Sequence, residues 1–285
     1  MKELTGWLIY RKQDAEWNQH YIPFYEQAAK KRGATISLRF LESFSFCDGK
    51  LYYENKPASL PDFVVMRADV PDFSSALEKQ GCPVFNSADF SRVANDKWLT
   101  FCQAKEAGIP VPKTELVTGE NAGTIAEKLG YPLVIKPRDG HGGQDVFWVD
   151  SEEVLQEILK AYAHDSFLLQ EPVSDLGKDL RVYAVGGQIV AAMLRSREDD
   201  FRSNYCLGGN ASCYILAGEE LALLEKVVRT FPSDFAGYDF MFHHGKMVLN
   251  EMEDVVGARM LYHLTELDVV DLYVGHIIEA IAPAS

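Results

Sequence analysis

Val134-Ile135-Lys136-Pro137-Arg138-Asp139-Gly140-His141-Gly142-Gly143-Gln144-Asp145-Val146 carries the decisive pattern of this chain. A strand ends at Lys136, a loop containing Gly140, Gly142 and Gly143 follows, and the chain leads straight into another strand over 146–149. Glycine lets backbone amides approach phosphate oxygens closely, and a lysine at a strand end adds positive charge. Strand-loop-strand describes a hairpin flap, which differs from the strand-to-helix phosphate loops of Walker and Rossmann sites. Taken alone, the same residues also suit a plain β-turn beside an exposed lysine.

Further along, Gly237-Tyr238-Asp239-Phe240 places Asp239 on a strand. Asn250-Glu251-Met252-Glu253 closes the next one, with Glu251 and Glu253 on one face by period-two alternation. Three carboxylates on paired strands converge. Magnesium takes oxygen ligands and leaves part of its shell to phosphate and water, which suits a nucleoside triphosphate. Solvated strand ends are the plainer alternative.

The flanking sequence alternates strands and helices. Runs at 6–10, 36–40, 63–66 and 83–85, with a helical pattern over 21–32, predict a small parallel sheet. A helix is expected over 91–107, ending at Gly108, with a boundary near Ile109-Pro110-Val111-Pro112. The spacing then predicts a helix over 122–129 and strands at 133–136, 146–149 and 168–171, with a helix capped by Ser151 between the last two. Strands at 180–185 and 188–194 meet across Gly186-Gly187, a hairpin signal. A helix over 219–230, strands at 237–242 and 247–251 and a closing helix from about Asp268 complete the reading. The expected units are 1–90, 91–170 and 171–285, in an α/β (α+β) chain.

Composition narrows the class. At 285 residues with a net charge of −14, the chain can bury a sizeable core but offers no basic surface for nucleic acid. The first residues lack the pattern of a signal peptide and no stretch reaches membrane-spanning length, so a cytoplasmic location is expected. Cys47, Cys82, Cys102, Cys206 and Cys213 show no CxxC spacing, so neither a disulfide framework nor a zinc site is indicated. His141 in the flap and the His243-His244 pair are read as exposed loop residues.

The ordered set Asn95-Asp96-Lys97, Ile135-Lys136 with its glycine loop, Gln170-Glu171-Pro172-Val173, Lys178-Asp179-Leu180-Arg181, Asp200-Phe201-Arg202-Ser203-Asn204, Gly208-Gly209, Gly237-Tyr238-Asp239 and Glu251-Met252-Glu253 resembles the ATP-grasp superfamily. Within it, the chain is similar to the RimK-type carboxylate–amine ligases. The resemblance covers residues 86–257 and is weaker before them. It implies ATP and Mg2+, with Mn2+ as a substitute, and a nucleotide held between two α+β lobes behind the small N-terminal domain. Lys97 and Lys136 would touch phosphates together with the flap glycines Gly142 and Gly143. Gln170, Glu171, Pro172 and Val173 would form the adenine hinge, and Asp179 would sit by the ribose. Arg202, Ser203 and Asn204 would lie at the γ-phosphate and acyl phosphate, and Asp239, Glu251 and Glu253 would bind metal.

The implied reaction phosphorylates a carboxylate and joins it to an amine. Lys136 and Arg202 would offset charge on the phosphoryl group. Arg181 and Arg195 alternate on a strand pair facing the cleft and would orient a substrate carboxylate; an exposed hairpin edge is the alternative for Arg195 and Arg197. The partners implied are a small-molecule acid and an amine acceptor, either an amino acid, a peptide or a protein tail, in a homo-oligomer. Two departures stand out. Glu253 occupies a position where the family usually has asparagine, and Asp254-Val255-Val256-Gly257 replaces the usual Ser-Pro-Gly turn. A nucleotide-binding protein without ligase activity and a ligase using a thiol or hydroxyl acceptor are the alternatives.

Overall fold

A computed structural model describes residues 3–140, 145–162, 165–197 and 210–282. The first lobe runs β1 (Leu4–Tyr10), α1 (Lys12–Trp17), α2 (Ile22–Lys31), β2 (Ala34–Phe40), β3 (Phe44–Cys47), β4 (Lys50–Tyr53), β5 (Lys56–Pro57), β6 (Phe63–Met66), α3 (Pro71–Glu78) and β7 (Val84–Phe85). Its main sheet has the order β2-β1-β6-β7, all parallel. The apolar residues of β1 and β6 run continuously because both faces are covered. The antiparallel sheet β3-β4-β5 is an insertion that sequence analysis does not foresee.

Two helices follow, α4 (Ala88–Ala94) and α5 (Lys97–Glu106), where the pattern predicts one. Asp96 divides them. Its carboxylate caps α5 by accepting from the amides of Trp98 and Leu99 at 3.0 and 3.1 Å. The second sheet, order β10-β9-β11-β8, is antiparallel and comprises β8 (Thr114–Val117), β9 (Leu133–Pro137), β10 (Phe147–Val149) and β11 (Phe167–Gln170). Helices α6 (Ala122–Leu129) and α7 (Glu152–Ala161) cover it and share its separate core with Leu133, Ile135 and Leu169.

The third sheet, order β14-β13-β12-β15-β16, is antiparallel throughout. It is built from β12 (Asp175–Val185), β13 (Gln188–Ser196), β14 (Asn210–Cys213), β15 (Phe235–His243) and β16 (Lys246–Glu253). Gly186 and Gly187, both at positive φ (55° and 77°), make the β12–β13 turn as the sequence predicts. One face packs on α8 (Gly218–Thr230) and on Phe90, Ala94 and Ala104 of α4 and α5. The other face joins the first lobe: Tyr183, Phe235, α9 (Arg259–Leu264) and α10 (Val269–Ile281) share a cluster with Leu8, Tyr25 and Phe63. Among the described residues, no helix is long and apolar enough to cross a membrane.

Candidate active site

The second and third sheets close on a cavity of about 880 Å3 whose walls include Lys97, Lys136, Glu171, Asp179, Asn250 and Glu251. Lys136 enters from β9, where alternation turns it out of the core formed by Leu133 and Ile135. It is 4% exposed, and its Nζ donates to Asn250 Oδ1 at 2.9 Å and Gln170 Oε1 at 3.4 Å. Burial lowers its pKa to about 8, against the opposing pull of the Glu251 carboxylate.

Lys97 arrives from the first turn of α5. The Asp96 cap fixes that turn, and Asp96 also receives the Arg138 guanidinium at the mouth of the flap, with Nε at 2.8 Å. The Lys97 amide donates to Arg138 O at 3.1 Å. Its ammonium donates to the carbonyl of Gly140 and lies 3.8 Å from Glu251. Two lysines therefore reach one cavity from different elements, each meeting oxygen atoms.

The carboxylates come from the β15–β16 pair. Asp239 stands opposite Glu251 and Gly237 opposite Glu253, while a bulge between Asp239 and Phe240 leaves Asn250 as the extra residue on β16. The bulge lets the consecutive residues Asn250 and Glu251 line the same cavity, contrary to strict alternation. Asp239, Glu251 and Glu253 each offer an oxygen, and these lie within 4.8 Å of one another. Such a set of hard oxygen donors fits magnesium.

Arg181 faces this cluster directly, paired across the strands with Asp239. Its Nε and NH2 donate to the two Asp239 oxygens at 2.7 and 2.6 Å, and NH2 also meets Glu253. Arg195 donates to Asp239 at 2.8 Å and to Asp179. Burial opposes ionisation of Asp239, but the two guanidiniums outweigh it and hold the carboxyl well below the usual range. Burial pushes the Glu253 carboxyl upward. Sequence analysis expects Arg181 and Arg195 to meet a substrate carboxylate; in the structure their forks hold the chain's own carboxylates instead.

The predicted hinge residues Gln170, Glu171, Pro172 and Val173 line the cavity, as does Asp179. The Gln170 amide is buried, with Nε2 donating to Thr114 Oγ1 at 2.9 Å, so its side chain positions Lys136. Glu171 pairs with Lys113 at 2.5 Å, and its amide donates to Lys113 O. Gly142, Gly143, Arg202, Ser203 and Asn204 lie outside the described residues. Sequence reading misses Asn250, whose only advance signal is a polar residue directly after the apolar run Met247-Val248-Leu249.

Two sheets gripping one cavity, with lysines on one side and carboxylates on the other, is the ATP-grasp architecture. The RimK-domain ATP-grasp protein of Sphaerobacter thermophilus shares it at a TM-score of 0.75 and 18% identity, covering 96% of this chain and 98% of that one. Residues 94–280 match the model of the RimK-like ATP-grasp domain, and the chain belongs to that family.

Among named relatives, N-acetylaspartylglutamate synthase A of Mus musculus is 33% identical over 238 residues, which is 77% of this chain and 62% of the mouse protein. The probable alpha-L-glutamate ligase of Mannheimia succiniciproducens is 28% identical over 253 residues, covering 81% of this chain and 83% of its own length. The chain thus spans about three-fifths of the mouse protein's length.

Proposed function

We propose that this chain is an ATP- and magnesium-dependent ligase that activates a carboxylate as an acyl phosphate and joins it to an amine. The carrying observation is the single cavity in which Lys97, Lys136 and Glu251 meet, next to the Asp239–Glu253 pair. Lys97 and Lys136 hold the nucleotide phosphates in place of the oxygens they now contact. The segment 170–173 edges the adenine, and Asp179 lies towards the ribose. Asp239, Glu251 and Glu253 hold magnesium, which when bound supplies positive charge to the phosphates. Manganese satisfies the same donors.

In the first step a carboxylate oxygen of the acid attacks the γ-phosphorus and ADP leaves. The amine then attacks the acyl carbon, phosphate leaves, and the amine gives up a proton. Fixed lysine charges act where negative charge builds up, in a site that needs no reorganisation during the reaction. Arg202, Ser203 and Asn204 belong to this step by sequence resemblance alone. The glutamate-joining names of the relatives direct the choice of substrates towards amino acids and peptides.

The test measures ADP release with magnesium and mass spectrometry of products, over amino acids, peptides and small acids supplied in pairs. A new mass equal to acid plus amine minus water, formed with equimolar ADP, is the expected result. ATP binding with neither ADP nor ligated product over the whole panel would sink the ligase assignment.

A further inference from the structure

The stretch that leaves β9 is fastened to the first turn of α5. Arg138 follows the last strand residue, Pro137, and its guanidinium forks onto Asp96: Nε lies 2.8 and 2.9 Å from the two carboxylate oxygens, and one NH2 meets the second of them. The Lys97 amide donates to the Arg138 carbonyl at 3.1 Å, and the Lys97 ammonium donates to the carbonyl of Gly140. Gly140 turns back over the Pro137 ring so closely that a Cβ there would lie 2.4 Å from Pro137 Cγ. A glycine at that point lets the turn bring its carbonyl up to Lys97.

These bonds join two lobes. β9 belongs to the core of the second lobe through Leu133 and Ile135, whereas α5 packs on the third sheet through Ala104. The clasp crosses between them at the end of the cavity where Lys97 and Lys136 stand, yet neither Arg138 nor Asp96 lines that cavity, so both act at one remove. Asp96 serves both sides, because its Oδ1 also accepts the amides of Trp98 and Leu99 that open the helix. Burial opposes ionisation of Asp96, but the Arg138 guanidinium and those amides outweigh it and hold the carboxyl below its usual range. The two side chains are 37% and 19% exposed, so the pair adds little to stability. Its effect is directional: a forked guanidinium fixes the plane of a carboxylate as well as its distance, which an ammonium cannot do.

We propose that Arg138 is a positioning residue for Lys97. Acting through Asp96 and through its own carbonyl, it fixes the first turn of α5 and with it the point from which the Lys97 ammonium reaches the nucleotide phosphates. A lysine side chain has many rotamers to lose, and its contact with a phosphate is strong only where the backbone that carries it is held in place. The inference rests on the reading of Lys97 as a phosphate ligand and adds the residue that aims it.

A double-mutant cycle on the full chain tests it, read by calorimetric titration with the non-hydrolysable analogue AMPPNP in magnesium. Arg138→Met lowers AMPPNP affinity about tenfold, while the thermal midpoint falls by about three degrees or less. Asp96→Asn, which keeps a helix cap but no carboxylate for the fork, has the same effect, and Arg138→Lys recovers only part of the loss. In a Lys97→Met background, itself about tenfold weaker, Arg138→Met changes the affinity by less than about twofold, because the side chain it aims is gone. A merely structural role lowers affinity by the same factor in both backgrounds. That equal loss, or an unchanged affinity in Arg138→Met, overturns the proposal and leaves the nucleotide site standing. Should Arg138→Met fail to fold, Asp96→Asn completes the same cycle. Unchanged affinity in Lys97→Met overturns the reading of Lys97, and a chain that does not bind AMPPNP overturns the ligase reading; either takes this proposal with it.

Discussion

Lys136 shows how much a single side chain carries. Burial holds its pKa near 8 before any phosphate arrives, so part of the population is neutral at slightly alkaline pH. Phosphate oxygens favour the charged form, and nucleotide binding near pH 8 therefore takes up as much as about half a proton per site. Calorimetry in buffers of different ionisation enthalpy will detect that uptake, and Lys136→Met will abolish it while weakening nucleotide binding at least about tenfold. Arg181 has a structural duty as well as a place in the site, because it is 7% exposed and answers two carboxylates. Arg181→Met leaves buried charge uncompensated and should cost about 3–5 kcal/mol of stability in urea unfolding. Glu253→Asn keeps an oxygen donor but removes a charge, so turnover should persist with a several-fold higher magnesium requirement; an unchanged magnesium dependence in Glu253→Ala would remove Glu253 from the ligand set. Lys136 and the three carboxylates were legible because strand periodicity is local. Arg67 was not, since the groups that surround it, Tyr10, Tyr25, Tyr273 and Val256 O, come from distant parts of the chain.

Among the elements, the β15–β16 hairpin shows where sequence reading stops. Its strands and turn follow from alternation around His243-His244-Gly245, with His244 and Gly245 at φ 51° and 71°. The bulge at Asn250 obeys no local rule, and it is what turns Asn250 and Glu251 into the same cavity. The break between α4 and α5 had a signal, Asp96 as an N-cap, hidden within a continuous helical pattern. The β3-β4-β5 insertion consists of strands of two to four residues, too short for periodicity to register. Gly6 on β1 illustrates a constraint visible only after folding: a Cβ there would come within 2.3 Å of the Phe63 ring. Both residues sit in the middle of the parallel sheet, paired with each other in register. Gly6→Ala should destabilise the protein by about 1–3 kcal/mol through overpacking, measured as a lowered denaturation midpoint.

At the scale of the whole molecule, the first and third sheets share a hydrophobic cluster while the second sheet has its own. Helix α10 fastens the arrangement: Tyr273, Val274 and Ile277 enter the first-lobe core, and Asp271 receives two nitrogens of Arg32, the residue that closes α2, each at 2.9 Å. Hydrogen bonds from Arg32 lower the Asp271 pKa to about 2, below its unfolded value of about 3.9. This contribution is complete above about pH 4 and is lost as the pH falls towards 2. Because the pair is partly exposed, Asp271→Asn should cost only about 1 kcal/mol at neutral pH and less in strong salt, as thermal unfolding in low and high salt will show.

The shared core also sets a timetable for a chain emerging from a ribosome. At about 5–20 residues per second, the strands of the first lobe wait roughly ten to fifty seconds for α10 to be synthesised, with one apolar face covered only in part, by α2. The second lobe, whose core is drawn from residues 117–169, has no such wait. Stalled nascent chains ending at residue 265 should therefore resist protease across the second lobe while the first is digested, and protection of the first should appear only when stalling is moved far enough downstream for α10 to clear the exit tunnel.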